Sequence, residues 1–269
     1  MSPTRTFAIA LRQYYLIRGS FARFLPMFVW VAIDMLVWGF LSRYLDSVSP
    51  ADAGLRFVPR LLGAVLLWDF LVRVAHGVTI AFLEDVWSRN FLNFFATPLK
   101  VSEYLGGLIL TGIATSTVGL VVMLAMATTV FGLPFFSFGL LALPYLFILF
   151  LSGITLGILG AAMVLRLGPA SEWFVWMIPA TLSPFAAVFY PLDGLPGWMQ
   201  MVSRAVPPSY VFEGVRASLA QGHVAAGPLA IGAALIAAYT GLACWFFQRT
   251  YRHAMRTGLI ARYSAESLA

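Results

Sequence analysis

Residues 104–165 read YLGGLILTGIATSTVGLVVMLAMATTVFGLPFFSFGLLALPYLFILFLSGITLGILGAAMVL, without one Asp, Glu, Lys or Arg. As a single helix this run would extend ~93 Å at 1.5 Å per residue, about three times the hydrocarbon core of a bilayer. It must fold back. Gly132-Leu133-Pro134, followed by Gly139, supplies the turn. The expected result is two membrane spans, Tyr104–Phe131 and Leu140–Leu165.

Outward from this pair the same reading finds four more spans. Phe24–Tyr44 is apolar except for Asp34 and Arg43, and Phe57–Leu83 carries Arg60, Asp69, Arg73 and His76. On the C-terminal side, Trp173–Phe189 is bent by Pro179 and Pro184, and Pro228–Phe247 is uncharged. An all-α integral membrane fold with six transmembrane helices is predicted, as a single transmembrane domain over residues 1–269.

Composition agrees. Hydrophobic residues make up 61% of the chain and charged residues only 10%, against roughly 25% charged in soluble domains. So little charge cannot cover a soluble fold of this size, and lipid is the solvent. The net charge of +6 comes from sixteen Arg and Lys100, placed beside apolar spans. That placement points to membrane topology and not to nucleic acid. Arg5, Arg12, Arg18, Arg23, Arg89, Lys100, Arg166, Arg249, Arg252, Arg256 and Arg262 fall on one side, and Arg43, Arg56, Arg60, Arg204 and Arg216 on the other. The richer side is cytoplasmic by the positive-inside rule, so both termini are expected in the cytoplasm of an inner-membrane protein. The arginine-studded start lacks an uninterrupted apolar region, so no cleaved signal peptide is expected.

Four segments stand out. In residues 4–23, Arg5, Arg12 and Arg23 fall on one arc at about 100° per residue, opposite Phe7, Leu11, Tyr14 and Phe21. This reads as a basic amphipathic helix on the cytoplasmic surface, or more plainly as a positive flank of the first span. Residues 84–97 read EDVWSRNFLNFFAT and stop at Pro98. Trp87, Phe91, Phe94 and Phe95 recur there at helical spacing beside a polar strip of Asp85, Arg89 and Asn93. Lipid would cover those aromatics, but acidic Glu84 and Asp85 are repelled by anionic headgroups, which favours a protein partner.

Asp69, Arg73 and His76 share one face of the second span, and Asp34 lies mid-way along the first. Each charge costs roughly 2.5–3.5 kcal/mol at a helix centre, so these groups should face protein or water. They form either a structural ion pair or the lining of a polar path. Finally, residues 191–220 are cut by Pro191, Pro196, Pro207 and Pro208. They read as short helices lying in or dipping into one membrane face, or as a decorated loop. Gly153, Gly157 and Gly160 on the fourth span suit close helix packing within the subunit.

The exclusions narrow the function. There is no Gly-x-x-x-x-Gly-Lys-Ser/Thr, so ATP is not bound by this chain through a P-loop. Cys244 stands alone, and His76, His223 and His253 are scattered, so no metal site is expected. No catalytic residue emerges; a lipid-modifying membrane enzyme would need a polar cluster at one membrane face, and none assembles from the sequence.

The order of a basic amphipathic helix, two spans, an aromatic segment ending Thr97-Pro98-Leu99, and then Glu103-Tyr104-Leu105-Gly106 resembles the ABC-2 type (type V exporter) permease family. Residues 190–200, YPLDGLPGWMQ, and Pro207-Pro208-Ser209-Tyr210 with Glu213-Gly214 and Arg216 continue the likeness over nearly the whole chain. The resemblance implies a transmembrane subunit that pairs with a second permease copy or a paralogue. It would dock on separate ATPase subunits that hold ATP and Mg2+, with lipid around it. In that family residues 84–97 would be the coupling helix (Glu84, Asp85, Trp87, Arg89, Phe91, Phe94, Phe95). Residues 4–23 would be an interface helix (Arg5, Arg12, Arg23), and residues 191–220 re-entrant extracytoplasmic helices. Spans one, two and five would line the path, with Asp34, Trp38, Trp68, Asp69, Arg73 and Phe185 as candidate lining residues. Members export drugs, lipids, lipid-linked glycans or polysaccharides, and the motifs look closer to the drug and nodulation-factor branch than to the polysaccharide branch.

Overall fold

The computed structural model describes residues 2–48, 61–88, 94, 97–133 and 142–257. The helices in chain order are α1 (Pro3–Arg18), α2 (Phe21–Phe24), α3 (Pro26–Val48), α4 (Gly63–Trp87), α5 (Val101–Thr129), α6 (Leu143–Leu167), α7 (Trp173–Leu182), α8 (Gly197–Ser203), α9 (Pro207–Gln221) and α10 (Ala226–Thr257). Among the described residues there is no strand.

Five helices are long and apolar enough to cross a membrane: α3, α4, α5, α6 and α10. They match five of the six expected spans. The expected turn residues Pro134 and Gly139, and Arg56 and Arg60 before α4, lie outside the described residues.

The expected fifth span is different. Trp173–Phe189 is no single straight helix: α7 has ten residues, Pro179 lies inside it, and a 3-10 turn at Ser183–Phe185 follows. At 1.5 Å per residue, then 2 Å per residue in the 3-10 turn, these two pieces reach ~21 Å, short of the ~30 Å core. A proline removes an N–H and clashes with the preceding turn, and the chain then bends at Ala187, whose φ is 54°. The helix lengths therefore give five full spans and one short element in place of six.

α4 lies between α5 and α6, α6 lies between α4 and α10, and α3 packs on the outer side of α5. Small residues set these spacings. A methyl at Gly153 would stand 2.6 Å from the Leu71 carbonyl oxygen, and one at Gly157 would stand 2.8 Å from that of Ala75. The Thr79 hydroxyl, 3.1 Å from the Gly157 carbonyl oxygen, hydrogen-bonds across the same seam. On the other flank of α4, Gly77 meets Gly112 of α5. The glycines of α6 thus serve packing inside the subunit, as read from the sequence, because only bare backbones approach this closely.

The two ends of the bundle are built differently. α1 packs against the start of α5, with Ile9 fitted against Gly107, and reaches the end of α4 through hydrogen bonds of Arg12 and Gln13. At the opposite end α9 packs on α6 and α10. Two prolines open α9 and Gly222, at φ 73°, closes it, the expected asymmetry of helix termini. Its fifteen residues rise only ~22 Å, so it cannot cross alone. α8 and α9 fall where short helices were expected, although α9 runs further than the sequence suggested.

Candidate functional site

Three clusters of polar side chains break the apolar pattern: one at the α1 end, one mid-way along α4, and one under α9.

At the α1 end, Asp85 is fully buried at 0% exposure. Arg12 Nη1 lies 2.5 Å from its Oδ1, and the Tyr104 hydroxyl donates to its Oδ2 at 2.7 Å. Arg23 of α2 pairs with Glu84 at 3.2 Å. Glu103 caps the start of α5, accepting from the Lys100 N–H at 3.0 Å, and it also accepts from the Ser2 N–H at 2.6 Å. Arg5 donates to the Pro98 carbonyl and lies 3.6 Å from Glu103. Gln13 of α1 donates to the Ala81 carbonyl at 3.2 Å. A carboxylate at the third position of a helix suits both the orphan N–H groups and the helix dipole.

This arrangement inverts part of the sequence reading. The basic arc of α1 and α2 faces the bundle, where Arg5, Arg12 and Arg23 each meet an acidic side chain of the same subunit. The apolar arc faces outward, with Phe7 61% and Phe21 73% exposed. Glu84 and Asp85 are already matched by arginines, so repulsion from anionic lipid no longer weighs against a membrane surface there. Nor does a separate helix begin at Glu84: α4 continues unbroken to Trp87 and is capped at Ser88. Asp85 belongs to the buried face of α4 and not to an exposed polar strip. Phe94 packs beside Tyr104 at 5.8 Å, with the Arg12 guanidinium 4.7 Å over its ring. Trp87 is 55% exposed, its indole N–H donating to Glu172 at 3.1 Å. Arg89, Phe91, Asn93 and Phe95 lie outside the described residues.

Mid-way along α4, Arg73 reaches two carboxylates, Asp69 one turn earlier and Asp34 on α3, each at 3.9 Å. Its side chain passes α5 at Gly119, where an added methyl would stand 3.1 Å from Arg73 Cδ. The glycine is therefore a notch through which a charge on α4 meets one on α3. His76 continues the face and lies 4.4 Å from the Trp176 ring of α7. Asp69 Oδ2, Arg73 Nε and His76 Nε2 are buried without a hydrogen-bond partner. Trp38 stacks on Phe189 at 5.3 Å. Two of the candidate lining residues lie apart from this group: Trp68 turns toward Phe212 of α9 at 6.4 Å, and Phe185 toward Trp198 of α8 at 6.2 Å.

The third cluster was not singled out from sequence as a site. Glu213 of α9 accepts from the Leu192 N–H and from Arg216, both at 2.8 Å. Arg216 in turn donates to the Ala187 and Val188 carbonyls. The left-handed backbone at Ala187 costs a non-glycine residue about 1–2 kcal/mol, and this clasp holds it. Arg216→Met is expected to lower stability by about 1.5–3 kcal/mol, the range for hydrogen bonds to charged groups. Glu213→Gln should cost less, because its amide oxygen still accepts from Leu192. Thermal unfolding of the purified protein reads this, and unchanged melting of Arg216→Met would show the clasp to be incidental.

Among the described residues, no group of His, Cys, Asp and Glu is placed to hold a metal ion. None of the curated proteins compared matches the chain. The sequence model of the ABC-2 type transporter family matches residues 5–220, from α1 almost to the end of α9, so the chain belongs to that family and is a multi-pass ABC transporter permease.

Proposed function

We propose that the chain is the transmembrane subunit of an exporter that moves a hydrophobic or amphipathic substrate, a drug, a lipid or a lipid-linked glycan, out of the cytoplasm. It works as a dimer with a second copy or a paralogue, in the inner membrane, with both termini cytoplasmic and with α7 and the turn after it making a short sixth crossing. Separate ATPase subunits, which hold ATP and Mg2+, drive it.

The observation that carries this reading is the continuity of α4. One unbroken helix joins Trp87, at the α1 end, to Arg73 and Asp69 inside the bundle. Trp87 and Arg73 are ~21 Å apart along it. The knot of Arg12, Asp85 and Tyr104 fastens α1 and α5 to the end of this rod, and the Trp87–Glu172 hydrogen bond fastens the start of α7. A push at that end is therefore passed to the charged face without a hinge, which suits a subunit worked from outside. No group on this chain needs to do covalent chemistry.

The test is reconstitution in lipid, alone and with a candidate ATPase. ATP turnover and ATP-dependent substrate movement are expected only with both components. Robust hydrolysis by this chain alone would overturn the proposal.

A further inference from the structure

Arg5, Arg12, Arg23, Arg73 and Arg216 each face a carboxylate of the same subunit. The arginines at the end of α10 are different. Arg249, Arg252 and Arg256 are exposed, and among the described residues none of them meets a carboxylate; the same holds for Arg166 at the end of α6. At about 100° per residue, Trp245, Arg249, Arg252 and Arg256 fall within about 60° of arc. Like charges three and four apart on one helix repel. The helix dipole favours a cation only within the last turn, which reaches Arg256 but not Arg249. Residues 258–269 bring one acid, Glu266, and a further base, Arg262, so they do not balance the stripe. This face lacks an anion from outside the chain.

Its position indicates which anion. The same side of α10 carries the exposed apolar residues Ile231 and Leu242 and then Trp245, 57% exposed, so the basic stripe continues the face that lipid would cover. The opposite face is packed: Phe247, Thr250 and Ala254 are buried, and Phe247 meets Phe82 of α4 at 6.2 Å. The helix is thus held to the bundle as far as Ala254, which fixes the outward direction of the arginines. Tryptophan rings settle at headgroup level. Arg249 lies about 6 Å beyond Trp245 along the axis and Arg252 about 10 Å, against a headgroup layer about 5–8 Å thick. The Arg249 guanidinium also turns back over the Trp245 ring at 5.6 Å, and that of Arg166 lies over Phe246 at 5.8 Å. Both charges therefore reach toward the apolar stretch, as basic side chains do at a membrane surface. A soluble partner would instead be met beyond the helix end.

We propose that this face binds an anionic phospholipid, with Arg249 and Arg252 on its phosphate, Arg166 beside it from the flank, and the acyl chains along Leu242 and Ile231. One headgroup then bridges the ends of α6 and α10. Such binding needs only that α10 crosses a bilayer and not that ATP drives export, so the two readings fail separately.

Spin-labelled phosphatidylglycerol and phosphatidylcholine of matched acyl chains give the test. The motionally restricted fraction of each is measured by electron paramagnetic resonance on the full-length permease in phosphatidylcholine nanodiscs, with empty nanodiscs subtracted. A preference for phosphatidylglycerol that weakens with salt is expected. Arg252→Gln should lower it about fivefold, and Arg249→Gln with Arg252→Gln should bring the two lipids close to equal. Arg249→Lys with Arg252→Lys should keep most of the preference. Arg204→Gln, an exposed arginine at the opposite end, should leave it unchanged. Equal restriction of the two lipids by the wild type, or an undiminished preference in the double Gln variant, would overturn the site. So would loss of the preference to millimolar inorganic phosphate at constant ionic strength, which would mark a site for small anions. Co-purification with the ATPase is followed on the same variants. A double Gln variant that loses the ATPase while keeping its lipid preference would make the stripe a protein-docking face and equally overturn the lipid assignment.

Discussion

Asp85→Ala is expected to destabilise the permease by about 3–5 kcal/mol, the usual cost of breaking a buried ion pair by removing one partner. The carboxylate is fully buried and takes both Arg12 and the Tyr104 hydroxyl. Tyr104 is 1% exposed, so water does not replace the carboxylate its hydroxyl loses. Arg12 is 26% exposed and turns partly to solvent. Arg12→Ala should also be harmful, for the opposite reason: it strands a buried carboxylate. The double variant should then be far less than the sum of the two, because neither charge is left without the other. Asp85→Asn, which keeps the shape and one acceptor, should fall between. The spans stay inserted throughout, so the loss concerns the docking of α1. Thermal unfolding in nanodiscs, with protease access to α1 as a second reading, checks this. An Asp85→Ala protein that melts like wild type with α1 still protected would mean that the knot at this end bears no load.

Much of this architecture is legible in the sequence because lipid imposes a simple rule. A charge-free run three times the bilayer thickness has to turn, and the spans on either side of the turn follow from their length. The glycines of α6 declare their role through spacing alone. What the sequence conceals is long-range pairing. Arg5 meets Glu103 across 98 positions of chain, and Arg12 meets Asp85 across 73. The helical period showed which residues of α1 share a face, but not that the basic face turns inward. For the same reason Glu84 and Asp85 looked like the start of a new surface helix. Their charges are met by α1 and α2, so α4 continues through them. The short α7 is the third such case. Pro179 and Pro184 announce a bend, whereas the left-handed turn at Ala187 is held by Arg216, 29 positions further along, and no local pattern reveals it.

The same distinction between local and long-range roles separates the aromatics after α4. Trp87→Ala combined with Phe91→Ala is expected to leave the permease folded but poorly associated with its ATPase. Trp87 is more than half exposed and its indole N–H donates to Glu172, so among the described residues most of the ring is uncovered. Phe91, four positions on in the sequence, lies outside the described residues. Aromatic anchors of this kind typically cost about 2 kcal/mol or more when truncated, roughly a thirtyfold loss of affinity. Phe94 provides the internal control. It sits under Arg12 and against Tyr104, so Phe94→Ala should lower the melting temperature of the permease by itself, where the Trp87 and Phe91 changes should not. Arg89→Glu should act mildly, since charges at the rim of an interface alter encounter more than final affinity. Co-purification with the ATPase, set beside the thermal stability of the permease alone, separates these cases. Normal co-purification and transport in the Trp87→Ala, Phe91→Ala protein would make these rings membrane-facing only, and α4 would then need some other point at which to receive the push.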